Sequence, residues 1–283
     1  MTLPGVVSTG WLAEHLGRPG LRVLDASWHL PASRRNPRTE YAAGHVPGAL
    51  FFDLDAVSDH DTALPHMLPQ ADAFARAMTE LGLRDEDDLV VYDATGANVS
   101  AARAWWMFRA FGHPAVAVLD GGLGKWRREG RPLESGPVAL PAGRFTARLD
   151  RAAVRDLADV RANLDTQREQ VVDMRPAGRF AGTEPEPRAG LRGGHIPSSR
   201  SLPYADLVAA DGTLLRPDAL RRRLAAAGVD PAQPVVATCG SGTSACTLIH
   251  ALHLLGHDHA ALYDGSWTEW GGRDDTPVAT GSA

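Results

Sequence analysis

The chain has 283 residues, room for two domains of ordinary size, and its 44% hydrophobic and 22% charged residues are the composition of a globular protein. No apolar run is long enough to span a bilayer, and a formal charge of −5 with a pI near 6.1 offers no basic surface, so membrane and nucleic-acid partners are excluded. Residues 1–10 lack the charged stretch and apolar core of a secretory signal, so cytoplasmic residence is expected.

In chain order, apolar runs and helical periodicity predict strands at 21–26, 89–92 and 115–119, separated by helices at 70–81 and 98–111. A stretch containing Gly136, Pro137, Pro141 and Gly143 then reads as a connection. Beyond it come strands at 170–173, 235–238 and 260–263, with helices at 217–227 and 243–255. Regular alternation implies an α/β fold in which each half is a mainly parallel sheet with helices on both faces. The expected division is a first domain at 1–136, a linker at 137–149 and a second domain at 150–283.

The halves are a tandem repeat, because landmarks recur in the same order with drifting offset. Leu24-Asp25 returns as Val172-Asp173, Gly44-His45-Val46-Pro47 as Gly194-His195-Ile196-Pro197, and Leu119-Asp120-Gly121 as Tyr263-Asp264-Gly265. Setting 90–94 against 235–239 puts Ala94 opposite Cys239, so only the second half carries a thiol there. Histidines repeated in both Gly-His turns read as structural rather than catalytic.

Cys239 follows a predicted buried strand and precedes a predicted helix, within Thr238-Cys239-Gly240-Ser241-Gly242-Thr243-Ser244. Free backbone N–H groups and the helix dipole at such a junction favour a thiolate and can hold an anion. The other cysteine, Cys246, lies seven positions on, too far for an unstrained helical disulfide. Two cysteines are too few for a metal site, and no metal or organic cofactor is expected. Lys125, the sole lysine, reads as exposed, which discounts Schiff-base chemistry.

These residues resemble the tandem-domain rhodanese superfamily of sulfurtransferases, above all its 3-mercaptopyruvate branch. The resemblance rests on Cys239-Gly240-Ser241-Gly242, Gly182-Thr183-Glu184-Pro185-Glu186-Pro187, the paired Gly-His-Val/Ile-Pro turns, Phe51-Phe52-Asp53-Leu54-Asp55, His66-Met67-Leu68-Pro69 and Tyr263-Asp264-Gly265-Ser266-Trp267. It implies two similar α/β domains and a loop at 239–244 wrapped around the cysteine sulfur. Thiosulfate-specific members carry basic residues directly after the cysteine; Gly240 and Ser241 stand there instead, as in the mercaptopyruvate branch. That branch commonly closes the loop with Val-Thr, whereas this chain has Thr243-Ser244. Rhodanese-fold phosphatases need an arginine six positions after the cysteine to clamp phosphate, and Ala245 occupies that place.

The resemblance assigns roles residue by residue. Cys239 is the nucleophile that becomes a persulfide, with Gly240, Gly242, Thr243 and Ser244 binding substrate through the loop. Arg179 and Arg188 match the branch's carboxylate- and carbonyl-binding positions. Ser241, His66 and Asp55 match a proposed serine, histidine and aspartate relay. The implied partners are a small-molecule sulfur donor and a thiol or cyanide acceptor, thioredoxin among the thiols. Two alternatives remain open: a thiosulfate sulfurtransferase, and a persulfide carrier serving a protein partner.

Overall fold

The computed structural model describes residues 3–282. They divide into two compact units. One comprises Met1–Asp59, Pro69–Leu149 and Ala209–Leu214; the other comprises His60–Leu68, Asp150–Val208 and Leu215–Ala283. Each unit therefore takes in one half of the sequence and a short segment of the other half.

The first unit holds β1 (Val6–Val7), β2 (Leu21–Asp25), β3 (Leu50–Phe51), β4 (Asp88–Tyr92) and β5 (Val116–Leu119), in the order β1-β5-β4-β2-β3, with every pairing parallel. Central β4 buries Leu89, Val90, Val91 and Tyr92, as expected for a strand covered on both faces. Helix Val99–Ala110 is nearly enclosed and buries Trp105, Trp106, Met107 and Phe108, whereas amphipathic helix Ala71–Glu80 turns only Phe74 and Met78 inward. Phe74, Phe108 and Phe111 meet at ring centroid distances of 4.3–5.4 Å.

The second unit repeats this plan with β6 (Val154–Arg155), β7 (Gln170–Asp173), β8 (Arg200–Ser201), β9 (Val235–Thr238) and β10 (Ala260–Tyr263), ordered β6-β10-β9-β7-β8 and again parallel. Its core gathers Val160, Val171, Ile196, Val236, Tyr263, Trp267 and Trp270. The helix that follows β9 runs Ala245–Leu254 and is buried from Ala245 through Leu252. It starts after the expected 243, because 239–244 forms a loop. No helix among the described residues is long and apolar enough to cross a membrane.

Strand register corrects the alignment of the halves by one position. Asp25 pairs with Tyr92 and Asp173 with Thr238, so Asp93, not Ala94, stands where Cys239 stands. The hydrogen bonds agree: Leu123 N–H donates to the Asp93 carbonyl at 2.9 Å, and Trp267 N–H to the Cys239 carbonyl at 3.0 Å. Asp93 turns its carboxylate into its own loop, accepting from Thr95 N–H (2.8 Å), Thr95 Oγ1 (2.6 Å), Ser100 Oγ (3.2 Å) and Ala101 N–H (2.9 Å). In the first unit an aspartate side chain thus fills the loop that in the second unit surrounds a thiol.

Residues 137–149, read from sequence as a connection, belong to the first unit. Phe145 is buried against Phe74, Phe108 and His113, and Gly143 N–H donates to the Thr79 carbonyl at 2.8 Å. A β-carbon on Gly143 would fall 1.9 Å from the Leu83 carbonyl oxygen, so backbone must move to admit one. Gly143→Ala is expected to destabilise the protein by about 2 kcal/mol, read as a lowered Tm in thermal unfolding. An unchanged Tm would mean that this segment adds nothing to the first unit.

Candidate active site

The second unit builds its site on the turn after β10. Cys239 is 2% exposed and follows β9 directly. Ser266 Oγ accepts the Cys239 N–H at 3.2 Å while donating to the Tyr263 carbonyl at 2.8 Å. The Gly240 carbonyl accepts from Thr268 N–H at 2.9 Å and from Thr268 Oγ1 at 2.6 Å. Gly242 takes φ +74, a left-handed conformation that glycine adopts without strain. The loop is therefore held from outside, and the N–H groups of Gly240, Ser241, Thr243 and Ser244 donate to no protein acceptor among the described residues. Such N–H groups beside a thiolate or a persulfide can stabilise its charge. The Cys246 thiol donates to the Gly242 carbonyl at 3.3 Å, so this second free cysteine supports the loop.

His66 belongs to the segment that joins this unit from the first half of the chain. Its Nδ1 lies 3.0 Å from Ser241 Oγ and 3.2 Å from Thr243 Oγ1. The Thr243 hydroxyl thus reaches the same imidazole nitrogen as Ser241. Asp55 lies in the other unit, where each of its carboxylate oxygens is 3.0 Å from Trp28 Nε1.

Arg179 and Arg188 converge on Gly240. A β-carbon there would lie 3.3 Å from Arg179 Nη2 and 4.0 Å from Arg188 Nη1, so any side chain would crowd the end of Arg179. Arg179 comes from the short helix Ala177–Ala181, and its Nε and Nη2 both donate to Glu186 Oε2, the Nε at 3.0 Å. Glu186 Oε1 accepts from Arg175 Nη1 at 2.6 Å. Arg175 grips Asp173 through Nε and Nη2, donates to the Gly194 carbonyl at 2.7 Å, and stacks 4.2 Å above the Trp267 ring. Burial alone would lower the Arg175 pKa, but the Asp173 and Glu186 carboxylates outweigh it and hold the pKa above its ordinary value. This buried network locks one edge of the Arg179 guanidinium, leaving the remaining donors for a ligand.

Among the sequence-predicted residues, the second unit brings together Cys239, Gly240, Ser241, Gly242, Thr243, Ser244, His66, Arg179 and Arg188. Sequence reasoning assigned no role to Arg175, Asp173, Glu186, Asp264, Ser266 or Thr268. Glu186, Asp264 and Ser266 lie inside motifs singled out from sequence, and Asp173 lies in the repeat landmark Val172-Asp173. The repeated histidines make matching structural bonds, His45 Nδ1 to the Tyr41 carbonyl at 2.8 Å and His195 Nδ1 to the Phe180 carbonyl at 2.9 Å.

Comparison with known proteins gives the family. The model of the rhodanese-like domain matches twice, at residues 8–129 and 156–273. Human 3-mercaptopyruvate sulfurtransferase is 45% identical over 270 residues, covering 94% of this chain and 91% of that protein. A thiosulfate sulfurtransferase of Cricetulus griseus is 43% identical over 271 residues, with the same coverage of 94% and 91%. The crystal structure of SseA from Escherichia coli, a 3-mercaptopyruvate sulfotransferase, superposes with a TM-score of 0.86 at 42% identity, covering 93% of this chain and 99% of that one. Two matched domains, two parallel five-stranded sheets and this degree of identity establish that the chain belongs to the rhodanese family.

Proposed function

We propose that the protein is a sulfurtransferase that takes sulfane sulfur from 3-mercaptopyruvate through a persulfide on Cys239. The observation that carries this reading is the Cys239 loop, free of cations itself, with the guanidinium groups of Arg179 and Arg188 converging on Gly240. In 3-mercaptopyruvate a methylene and a carbonyl separate the carboxylate from the sulfur, so cations beside the loop suit it. Thiosulfate carries its charge on the transferable sulfur and on the sulfonate oxygens next to it, and it is better served by cations within the loop.

The Cys239 thiolate attacks the donor sulfur; a sulfur–sulfur bond forms as the carbon–sulfur bond breaks, and its electron pair passes to the enolate of pyruvate. Arg179 and Arg188 hold the carboxylate and carbonyl, stabilising the developing enolate oxygen. The Ser241 hydroxyl, backed by His66, delivers the proton that turns the enolate into pyruvate. Loop N–H groups stabilise the persulfide, whose outer sulfur then passes to a thiol or cyanide, restoring the Cys239 thiolate. Thioredoxin is a thiol of the required kind. Asp55 belongs to this reading as the carboxylate of the relay, and cytoplasmic residence accords with two free cysteines.

A second reading, thiosulfate as donor, is favoured by the near-equal identity to relatives named for either activity. Thiocyanate formation from cyanide with each donor separates the two. The expected result is a kcat/KM for 3-mercaptopyruvate at least about 10-fold above that for thiosulfate, a difference of ~1.4 kcal/mol. Equal or thiosulfate-favoured turnover would overturn the donor assignment, and negligible turnover with both would point to a carrier for a protein partner.

A further inference from the structure

The two units use one device twice. In the first, the Asp120 carboxylate accepts the Leu214 N–H at 2.9 Å; in the second, the Asp264 carboxylate accepts the Leu68 N–H at 2.7 Å. Asp120 and Asp264 follow β5 and β10 directly, and each captures the segment that enters its unit from the other half of the sequence. Two residues before each captured N–H the backbone turns left-handed, at Gly212 (φ +81) and at His66 (φ +61). The segments share little sequence, Asp211-Gly212-Thr213-Leu214 against Pro65-His66-Met67-Leu68, yet each sets a left-handed residue two positions before the N–H that its aspartate accepts.

The first unit fills the left-handed position with glycine, the residue that adopts it without strain. The second fills it with a side-chain-bearing residue whose imidazole meets Ser241 and Thr243. A strained histidine is kept where glycine would serve the fold, which points to function at that position. Asp264 is 3% exposed and also precedes the turn whose Ser266 and Trp267 bond the Cys239 backbone, so one turn holds both that backbone and the segment carrying the imidazole.

We propose that Asp264 is a positioning residue: by holding the Leu68 N–H it fixes His66 against the Ser241 and Thr243 hydroxyls, on which proton delivery to the enolate depends. The proposal rests on the sulfurtransferase reading, but its anchor is testable without turnover. Asp264→Ala removes the acceptor, Asp264→Asn retains one, and Asp120→Ala removes the same anchor from the first unit. Hydrogen–deuterium exchange of the peptide spanning 60–68 reports the anchor, and kcat/KM with 3-mercaptopyruvate reports its consequence.

In Asp264→Ala, exchange across 60–68 is expected to rise and kcat/KM to fall at least about 10-fold, since general acid catalysis is worth ~10²–10⁴-fold. The loss should fall on kcat more than on KM. Asp264→Asn should restore both readouts, and Asp120→Ala should lower Tm while leaving kcat/KM unchanged. Unchanged exchange in Asp264→Ala would overturn the anchor. Raised exchange with unchanged kcat/KM, or an equal loss of activity in Asp120→Ala, would leave only a structural role and overturn the positioning. Wild-type protein without turnover would defeat the sulfurtransferase reading instead, with the exchange result still deciding the anchor.

Discussion

Cys239→Ser is expected to fold as the wild type does and to lose sulfur transfer by about a thousand-fold or more, the scale of losing a covalent nucleophile. Serine retains the size of the side chain and the loop's external bonds, because Ser266, Trp267 and Thr268 bind the backbone of Cys239 and Gly240 rather than the sulfur. What disappears is the only sulfur in the loop able to form the sulfur–sulfur bond. Cys246→Ser is the matched control. Its hydroxyl can donate to the Gly242 carbonyl as the thiol does at 3.3 Å, so activity should stay near wild type. Comparable losses in both variants, measured as thiocyanate formation, would mean that Cys246 takes part in the chemistry.

Arg179→Ala should raise KM for 3-mercaptopyruvate about 30-fold, the equivalent of ~2 kcal/mol for a lost charge-assisted bidentate contact. Arg188→Ala should act in the same direction. Arg179→Lys should recover little, because an ammonium cannot both satisfy Glu186 and present a planar edge to the carboxylate. The Arg179 substitutions also leave Glu186 with Arg175 alone, so Tm needs to be followed alongside KM. An unchanged KM in a folded variant would remove Arg179 from substrate binding. Steady-state kinetics with donor varied at saturating cyanide supplies the measurement.

The central strands were legible because they are short, branched and buried. Runs such as Val235-Val236-Ala237-Thr238 bury every residue, and β7, β9 and β10 have the bounds expected from sequence. The edge strands β1, β3, β6 and β8 span two residues each, too few to show any period. Continuous burial also explains the slip that set Ala94 against Cys239: a strand apolar on both faces has no alternation to fix its register, so the apolar runs match in more than one frame.

The thiol loop was legible because glycines and hydroxyls around a lone cysteine are a local pattern. Its supports were not. Glu186 sits among exposed neighbours in a Pro-rich stretch, and nothing in that stretch reveals that its side chain is only 2% exposed and shared between two arginines. Asp264 is likewise one aspartate after a strand until Leu68, nearly two hundred residues away in sequence, donates to it. Ion pairs and anchors of this kind arise from the tertiary fold, where sequence spacing carries no information.

Mass spectrometry of the protein after incubation with 3-mercaptopyruvate, without acceptor, tests the central claim most directly. The account predicts the added mass of one sulfur atom on the peptide carrying Cys239, one pyruvate released per sulfur bound, and loss of the added mass when cyanide is supplied. Pyruvate release with no sulfur on Cys239, or sulfur found on Cys246 instead, would contradict it.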